Sequence, residues 1–171
     1  MTTSTLDEAK RAWASAYAGL SQNEIDVRVR GFTEIVRAIA TEGTLSPDAF
    51  AAKMGFEVSK ATELFWGLEA LGMQFDNAGN IVGAALTTAE TPHRVRFDGK
   101  QLFAWCALDT LFIPGLLGKT LAVESNCPIS GEAVKLSVSP NRIESVEPDG
   151  VWLSVFLPGG SSGQTGPESP T

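Results

Sequence analysis

The chain has 171 residues, and 43% of them are apolar, so it is long enough to bury the core of one ordinary domain or of two small ones. Its 13 basic and 20 acidic side chains give a formal charge of -7, which disfavours approach to phosphate backbones and argues against a nucleic-acid partner. No basic segment leads into an apolar one after Met1, so the sequence predicts no secretory signal and the cytoplasm is the expected compartment.

The first part of the chain has helical patterns. Apolar residues recur at helical spacing over Leu6–Gly19 and Glu24–Thr41. Ser46 is followed by proline and aspartate, which predicts an N-cap and the start of a third helix that ends at Gly55. A fourth helix is predicted over Ser59–Gly72.

A hairpin is predicted after these helices, with strands Met73–Phe75 and Ile81–Leu86 on either side of a turn rich in Asn and Gly. A series of three helices followed by a hairpin, as in the last three predicted helices and this hairpin, is the order of elements in a winged-helix domain. The last of these helices has one basic residue, Lys60, and two acidic residues, Glu63 and Glu69. A DNA-binding surface has the opposite charge pattern, with basic residues in excess. We therefore expect this part to act as scaffold.

The second part of the chain has strand patterns. A strand and turn are predicted at Arg94–Phe97 and Asp98-Gly99. Further strands are predicted at Leu121–Ser125, Val134–Val138, Arg142–Val146 and Val151–Leu157. The sequence thus predicts an α+β fold with a winged-helix-like domain at residues 1–86, a mostly antiparallel β domain at residues 87–158, and a disordered tail rich in Gly, Ser and Pro at residues 159–171.

The most apolar segment, Leu102–Gly118, contains one thiol and one carboxyl group three positions apart, at Cys106 and Asp109. A short helix over Trp105–Leu111 is expected to carry both residues on one face. Two interpretations are open from the residues alone: a chemical pair with a desolvated acid, or a small buried cysteine beside a helix-capping aspartate. A membrane span is not predicted, because Asp109 lies at the centre of the segment and Pro114-Gly115 interrupt it.

This segment resembles the core of the alkylmercury lyases, also called organomercurial lyases. The resemblance is close over about Arg94–Pro158 and looser from about Phe32. It is carried by the run Leu102–Asp109, by Pro114 and Gly118, by Val123–Cys127 and by Val138-Ser139-Pro140.

The resemblance implies that Cys106 binds the mercury of an organomercurial R-Hg-X and that Asp109 transfers the proton that replaces mercury on carbon, giving RH and Hg(II) in mercury resistance. The soft Hg(II) ion matches the soft thiolate ligand. No organic cofactor is implied. External thiols are expected to help release Hg(II), and a mercuric reductase is the partner that the resemblance suggests.

The resemblance also places Trp105 near the substrate, with core packing an equal alternative, and Phe103 beside it, where packing is the simpler interpretation. Cys127 is predicted to be structural, with a secondary thiol role as the alternative. Both cysteines are expected to be free and to react as thiolates. Cys127 stands without the second ligand pair that a zinc knuckle needs. His93, the single histidine, is predicted to lie at the surface.

One part of the family pattern is not matched. The alkylmercury lyases have a second mercury-binding cysteine after the strand corresponding to Val151–Leu157, whereas this sequence has no cysteine beyond Cys127. Three interpretations follow: a truncated or frameshifted lyase, a form that uses an external thiol or Cys127, or a relative without turnover. The last is the rival function, a mercury-binding protein or a winged-helix regulator.

Overall fold

The computed structural model of the chain describes residues 18–68 and 72–153, and residues 26–153 form one compact unit. These ranges contain four helices and one antiparallel sheet of eight strands, which confirms the α+β prediction. The helices are α1 (Gln22–Glu42), α2 (Pro47–Met54), α3 (Val58–Gly67) and α4 (Asp109–Leu117). The strands are β1 (Gln74–Phe75), β2 (Ile81–Ala84), β3 (Leu86–Thr87), β4 (His93–Phe97), β5 (Lys100–Ala104), β6 (Leu121–Asn126), β7 (Ala133–Ser139) and β8 (Arg142–Glu147).

The predicted capping residues of the helical part are confirmed. The Ser46 hydroxyl accepts a hydrogen bond from the Ala49 N–H at 3.2 Å, and Pro47 takes the first position of α2. Gly55 ends α2 with φ +66°, a left-handed conformation that glycine adopts without a steric penalty. Sequence signals suffice here because caps depend on residues close in the chain.

Close contact among the first three helices depends on Gly31 of α1. A Cβ at this position would lie 3.2 Å from the Leu68 side chain and 3.3 Å from Phe50, closer than most real contacts. Phe50 packs edge-on against Phe65 of α3, with ring centroids 5.5 Å apart. Both phenylalanines are fully buried, so this contact forms the centre of the helical core.

The eight strands lie in the order β1-β2-β3-β5-β4-β6-β7-β8, so the predicted hairpin and the predicted β part belong to one sheet. The boundary predicted between residues 86 and 87 lies inside β3, which pairs with β5 through Leu86 and Ala104. Strand β6 alternates as predicted, with Leu121, Val123 and Ser125 buried.

The segment Ile81–Leu86 is two strands and not the single strand that was predicted. Ala85 has φ +56°, and the chain reverses there so that β2 and β3 pair with each other. A left-handed alanine carries a steric cost that surrounding contacts must offset. The Ala85 carbonyl accepts a hydrogen bond from the Trp105 N–H at 3.0 Å, a contact between residues far apart in sequence.

The prediction of a helix over Trp105–Leu111 is wrong, because α4 begins only at Asp109. The expected interruption at Pro114-Gly115 is also absent, since α4 continues through both residues to Leu117. Tertiary contacts hold this short helix: the rings of Phe112 and Phe32 lie 6.4 Å apart. In addition, the Arg37 side chain donates a hydrogen bond to the Leu116 carbonyl at 3.1 Å. Within the described ranges, none of the helices has the length and apolar character to cross a membrane.

Other predicted boundaries differ from the structure. Helix α3 ends at Gly67, with Leu68 as its C-cap residue, and not at Gly72; residues 69–71 lie outside the described residues. The described part of the predicted strand Val151–Leu157, residues 151–153, belongs to no strand. The remainder of that strand, the predicted tail at residues 159–171 and nearly all of Leu6–Gly19 lie outside the described residues.

Trp105, the residue after β5, packs across the backbone of β2. A Cβ on Gly83 would lie 2.9 Å from a ring atom of Trp105, a distance that real Cβ atoms do not show. The ring is rigid, so the ring and the strand cannot both keep their positions when a methyl group is added. Gly83 therefore permits the close approach of Trp105 to the sheet.

We expect Gly83→Ala to lower the free energy of unfolding by about 1–3 kcal/mol through this overpacking. The measurement is urea denaturation followed by circular dichroism. Gly67→Ala is the matched control, because a Cβ there meets nothing within 4 Å, and we expect it to be neutral or stabilising. Equal stability of the two variants would contradict the packing argument.

Candidate active site

The predicted thiol and carboxyl group lie on a short turn between β5 and α4. Strand β5 ends at Ala104, residues 105–108 turn, and Asp109 is the first residue of α4. The buried Thr110 hydroxyl donates a hydrogen bond to the Ala107 carbonyl at 2.7 Å. The Ala85 carbonyl holds the Trp105 end of the turn. The turn is thus fixed at both ends.

Two reciprocal hydrogen bonds join Cys106 and Asp109. The Cys106 N–H donates to Asp109 Oδ2 at 2.8 Å, and the Asp109 N–H donates to the Cys106 carbonyl at 3.1 Å. The Asp109 carboxyl group also lies close enough to the Cys106 thiol to affect the pKa of the thiol. The two side chains therefore meet, as the spacing of three residues predicts, but through a helix N-terminal turn and not across a helix face.

Burial raises the pKa of both groups. Desolvation is the largest effect on Cys106, and the hydrogen bond and negative charge of Asp109 raise the pKa of the thiol further. Desolvation also raises the pKa of Asp109, against smaller lowering effects of its hydrogen bonds with Cys106 and of the charge of His93. Cys106 is an exposed residue by surface area, yet its neighbours still desolvate the sulfur. The free site thus favours a thiol over a thiolate at Cys106.

Trp105 and Phe103 lie on the β5 side of this turn. The Trp105 ring is half-buried and contacts the backbone at Gly83, and it also lies near Gly72. Phe103 is buried in β5, where it is paired with Thr87 and Arg94. Their predicted contact with substrate stays a prediction.

Cys127 lies just after β6 in a tight loop. Its N–H donates to the Glu132 carbonyl and its carbonyl accepts from the Gly131 N–H, each at 2.8 Å. A hydrogen bond with the Ser130 side chain is the largest effect on the thiol and lowers the pKa of Cys127, followed by backbone hydrogen bonds in the same loop. Both cysteines of the chain are free, as expected from the sequence.

The prediction that His93 lies at the surface is wrong. His93 is half-buried at the start of β4, and its Nδ1 lies 3.0 Å from the hydroxyl of the buried Ser125. The sequence held a signal for this position, because His93 alternates with Val95 and Phe97, both of which are buried. The period-two pattern of β4 begins at His93, one residue before the predicted start of this strand at Arg94.

The described residues do not contain a group of three or more His, Cys, Asp or Glu side chains placed to hold a metal ion. Two clefts of about 340 Å³ each lie elsewhere in this part of the chain, one beside Arg94 and Lys135 and one beside Phe97 and Lys119. Cys106 instead lies on an open turn. What this arrangement offers chemically is one sulfur donor with a carboxyl group held beside it by the hydrogen bond to the Cys106 N–H.

We expect Asp109→Asn to lower the pKa of the Cys106 thiol, because the substitution removes the negative charge and the hydrogen bond that disfavour the thiolate. The measurement is the pH dependence of alkylation by iodoacetamide in a Cys127→Ser background, where Cys106 is the single thiol. Asp149→Asn, the same change on an exposed turn, is the control. An unchanged or higher midpoint in Asp109→Asn would contradict the electrostatic account.

The comparisons with known proteins agree on one family. Residues 86–166 match the model of the alkylmercury lyase family, MerB. An alkylmercury lyase from Staphylococcus epidermidis (strain ATCC 12228 / FDA PCI 1200) is 38% identical over 127 residues, which are 74% of this chain and 58% of that protein. One from Pseudomonas putida is 37% identical over 131 residues, 76% of this chain and 60% of that protein.

A solved structure, described as the mercury-bound form of MerB2, has the same fold. Its TM-score to this chain is 0.65 at 23% sequence identity, and the match covers 84% of this chain and 68% of that one. The chain spans a little under two thirds of the length of the lyases that it matches. The matched residues 86–166, which are similar to the alkylmercury lyase family, include both Cys106 and Asp109.

Proposed function

We propose that this chain cleaves the carbon–mercury bond of organomercurials R-Hg-X by protonolysis, with Cys106 as the mercury ligand and Asp109 as the proton carrier. The observation that carries the proposal is the hydrogen-bonded pairing of Cys106 and Asp109 on one turn, in which each residue alters the pKa of the other. The names of the relatives, alkylmercury lyases, support the substrate class.

The first step is substitution at mercury. The Cys106 sulfur bonds to Hg(II), the group X leaves with its electron pair, and the thiol proton passes to the Asp109 carboxylate. Because burial raises the pKa of both groups, the carboxylate holds this proton better than an ordinary aspartate does, and the thiol keeps it until mercury arrives. The bond between the soft metal and the soft sulfur drives the transfer.

The second step is proton delivery to carbon. Asp109 donates its proton as the carbon–mercury bond breaks, and the electron pair of that bond forms the new C–H bond of RH. Mercury stays Hg(II), bound to Cys106 sulfur. A carboxyl group that is desolvated yet hydrogen-bonded suits both roles, since it has to accept a proton and give it up in consecutive steps.

Release of Hg(II) needs further thiols. Cys106 is one sulfur donor, and we propose that an external thiol supplies the second, with Cys127 as the alternative within the chain. The structure described as mercury-bound MerB2 supports mercury binding in this fold. A mercuric reductase is the proposed acceptor of the product, and no organic cofactor takes part in the proposed steps.

We propose that the helical part acts as scaffold and does not bind nucleic acid. The single lysine of α3, Lys60, lies over the Phe56 ring at 4.5 Å, and Glu57 and Glu63 flank it in sequence. A helix with this charge distribution repels phosphate groups. The cytoplasm is the proposed compartment, in keeping with its supply of small-molecule thiols.

A second candidate function is mercury binding without turnover. It is favoured by the absence, within the part of the chain that the structure describes, of a group of three metal-binding side chains around Cys106. Such a protein would take up R-Hg through one sulfur and keep the carbon–mercury bond intact. Hydrocarbon release separates the two functions directly.

The test is incubation of the chain with phenylmercury and excess thiol, with benzene measured by headspace gas chromatography. We expect benzene above the rate of a thiol-only control. Cys106→Ser is expected to abolish tight phenylmercury binding and benzene release, because a hydroxyl is a poor ligand for a soft metal. Asp109→Asn is expected to retain binding and to lose turnover by about 100-fold or more, the usual contribution of a positioned acid.

Asp149→Asn is the matched control for the aspartate change and is expected to match the unmodified chain. If the unmodified chain binds phenylmercury but releases no benzene, the result contradicts the lyase function and supports mercury binding without turnover. Unchanged phenylmercury affinity in Cys106→Ser would remove both functions from this site.

A further inference from the structure

Strand β8 is one of the two edges of the sheet in the part of the chain that the structure describes. The other edge, β1, has two residues, and a strand that short offers little to a second chain. Strand β8 has six residues, and all six are exposed. An exposed edge strand of this length presents a row of backbone N–H and C=O groups. Its outer edge can therefore accept another strand.

The core side of β8 is apolar but uncovered. Ile143 is paired with the buried Val138 of β7, and Val146 is paired with Leu136, which packs against the core. Paired side chains point to the same face, so Ile143 and Val146 lie on the core side of the sheet. Helix α4 contacts β7, whereas the main contacts of β8 are with β7 itself. Ile143 and Val146 are consequently 51% and 36% exposed.

A bulge in β8 gives this strand a symmetric order of side chains. The register with β7 passes from Ile143 directly to Ser145, so Glu144 is the extra residue. Arg142 and Glu147, at the two ends of the strand, are paired with positions four residues apart on β7 and therefore point to the same face. In order along β8, the side chains that take part in the register are basic, apolar, hydroxyl, apolar and acidic: Arg142, Ile143, Ser145, Val146 and Glu147.

Two copies of this strand fit each other in antiparallel orientation about a two-fold axis at Ser145. Arg142 then lies opposite Glu147 of the second copy, so opposite charges face each other twice. Ile143 lies opposite Val146 of the second copy, which pairs apolar side chains on the core side. The two Ser145 side chains meet at the axis, where hydroxyl groups can form a hydrogen bond. A two-fold interface uses the same surface on both chains and requires this self-complementarity.

We propose that β8 pairs with the β8 strand of a second copy of this chain, so that one continuous sheet runs through both copies. The Arg142 side chain is 75% exposed, and its Nε donates to the bulged Glu144 at 2.8 Å, which keeps the guanidinium on the edge strand. Val151 and Trp152, shortly after β8, supply further exposed apolar surface. This inference is independent of the proposed lyase function.

The association is tested by sedimentation velocity over a range of protein concentrations. We expect the unmodified chain to form a dimer of twice 18.1 kDa. Arg142→Glu and Glu147→Arg each place like charges opposite each other, twice by symmetry, and we expect each to weaken the dimer by about 10-fold or more. An equal mixture of these two variants restores opposite charges in the mixed pair, so we expect it to dimerise. Lys60→Glu, the same change of charge on α3, is the matched control and is expected to behave as the unmodified chain.

The register is tested by crosslinking in a Cys106→Ser, Cys127→Ser background, which has no other thiol. Ser145→Cys places two thiols at the proposed axis, and we expect a short bismaleimide to link two chains. Ser137→Cys is the control, because Ser137 is paired with Ser145 but lies one strand further from the axis. We expect it to give little linked product.

Three outcomes would overturn the inference. The first is an unmodified chain that stays monomeric at every concentration. The others are a dimer that tolerates Arg142→Glu and a mixture of the two charge variants that stays monomeric, since the contact would then lie elsewhere. Circular dichroism reports whether each variant folds. Val146→Lys, which places a charge among the apolar pairs, is the second variant should a charge reversal prevent folding, and it is expected to abolish the dimer.

Discussion

The reciprocal hydrogen bonds between Cys106 and Asp109 are the constraint on which the site depends. These hydrogen bonds close the turn that leads into α4, and they also hold the Asp109 carboxyl group near the Cys106 sulfur. Two opposing effects act on the pKa of that carboxyl group. The helix N-terminus and the Cys106 N–H favour the ionised form, whereas burial favours the protonated form, and the effect of burial is the larger. Burial therefore makes this carboxyl group easier to protonate than an ordinary aspartate.

The surrounding fold keeps this turn in place from three directions. The left-handed Ala85 directs its carbonyl to the Trp105 N–H, and Gly83 leaves room for the Trp105 ring against the sheet. On the far side, α4 is held by the contact of Phe112 with the long helix α1. Backbone strain at Ala85 is thus found next to the site that it positions, a common arrangement where geometry has to be maintained against an energetic cost.

His93 is held at the end of the sheet beside this turn. Its Nδ1 lies 3.0 Å from the hydroxyl of the buried Ser125 in β6, and in the strand register it is paired with Ala104 of β5. The His93 N–H donates to the Thr91 hydroxyl, which in turn donates to the Ala104 carbonyl. The end of β5, where the reactive turn begins, is therefore tied to the neighbouring strand.

Much of this protein was determined by sequence alone. The alternation along β6, the cap at Ser46 and the turn at Asp98-Gly99, where both residues have positive φ, depend on nearest neighbours and were predictable. The spacing of Cys106 and Asp109 likewise identified the pair, and the resemblance to alkylmercury lyases suggested the chemistry that we propose for it.

Tertiary structure decided what local pattern could not. The chain reversal at Ala85 and the position of His93 depend on partners distant in sequence: the Ala85 carbonyl accepts a hydrogen bond from the Trp105 N–H, and His93 lies within hydrogen-bond distance of Ser125. The sequence determined which residues form the candidate site, because their types and spacing are local. The fold decided how they are held and how strongly they retain their protons, because hydrogen bonding across strands and desolvation arise only when the chain is packed.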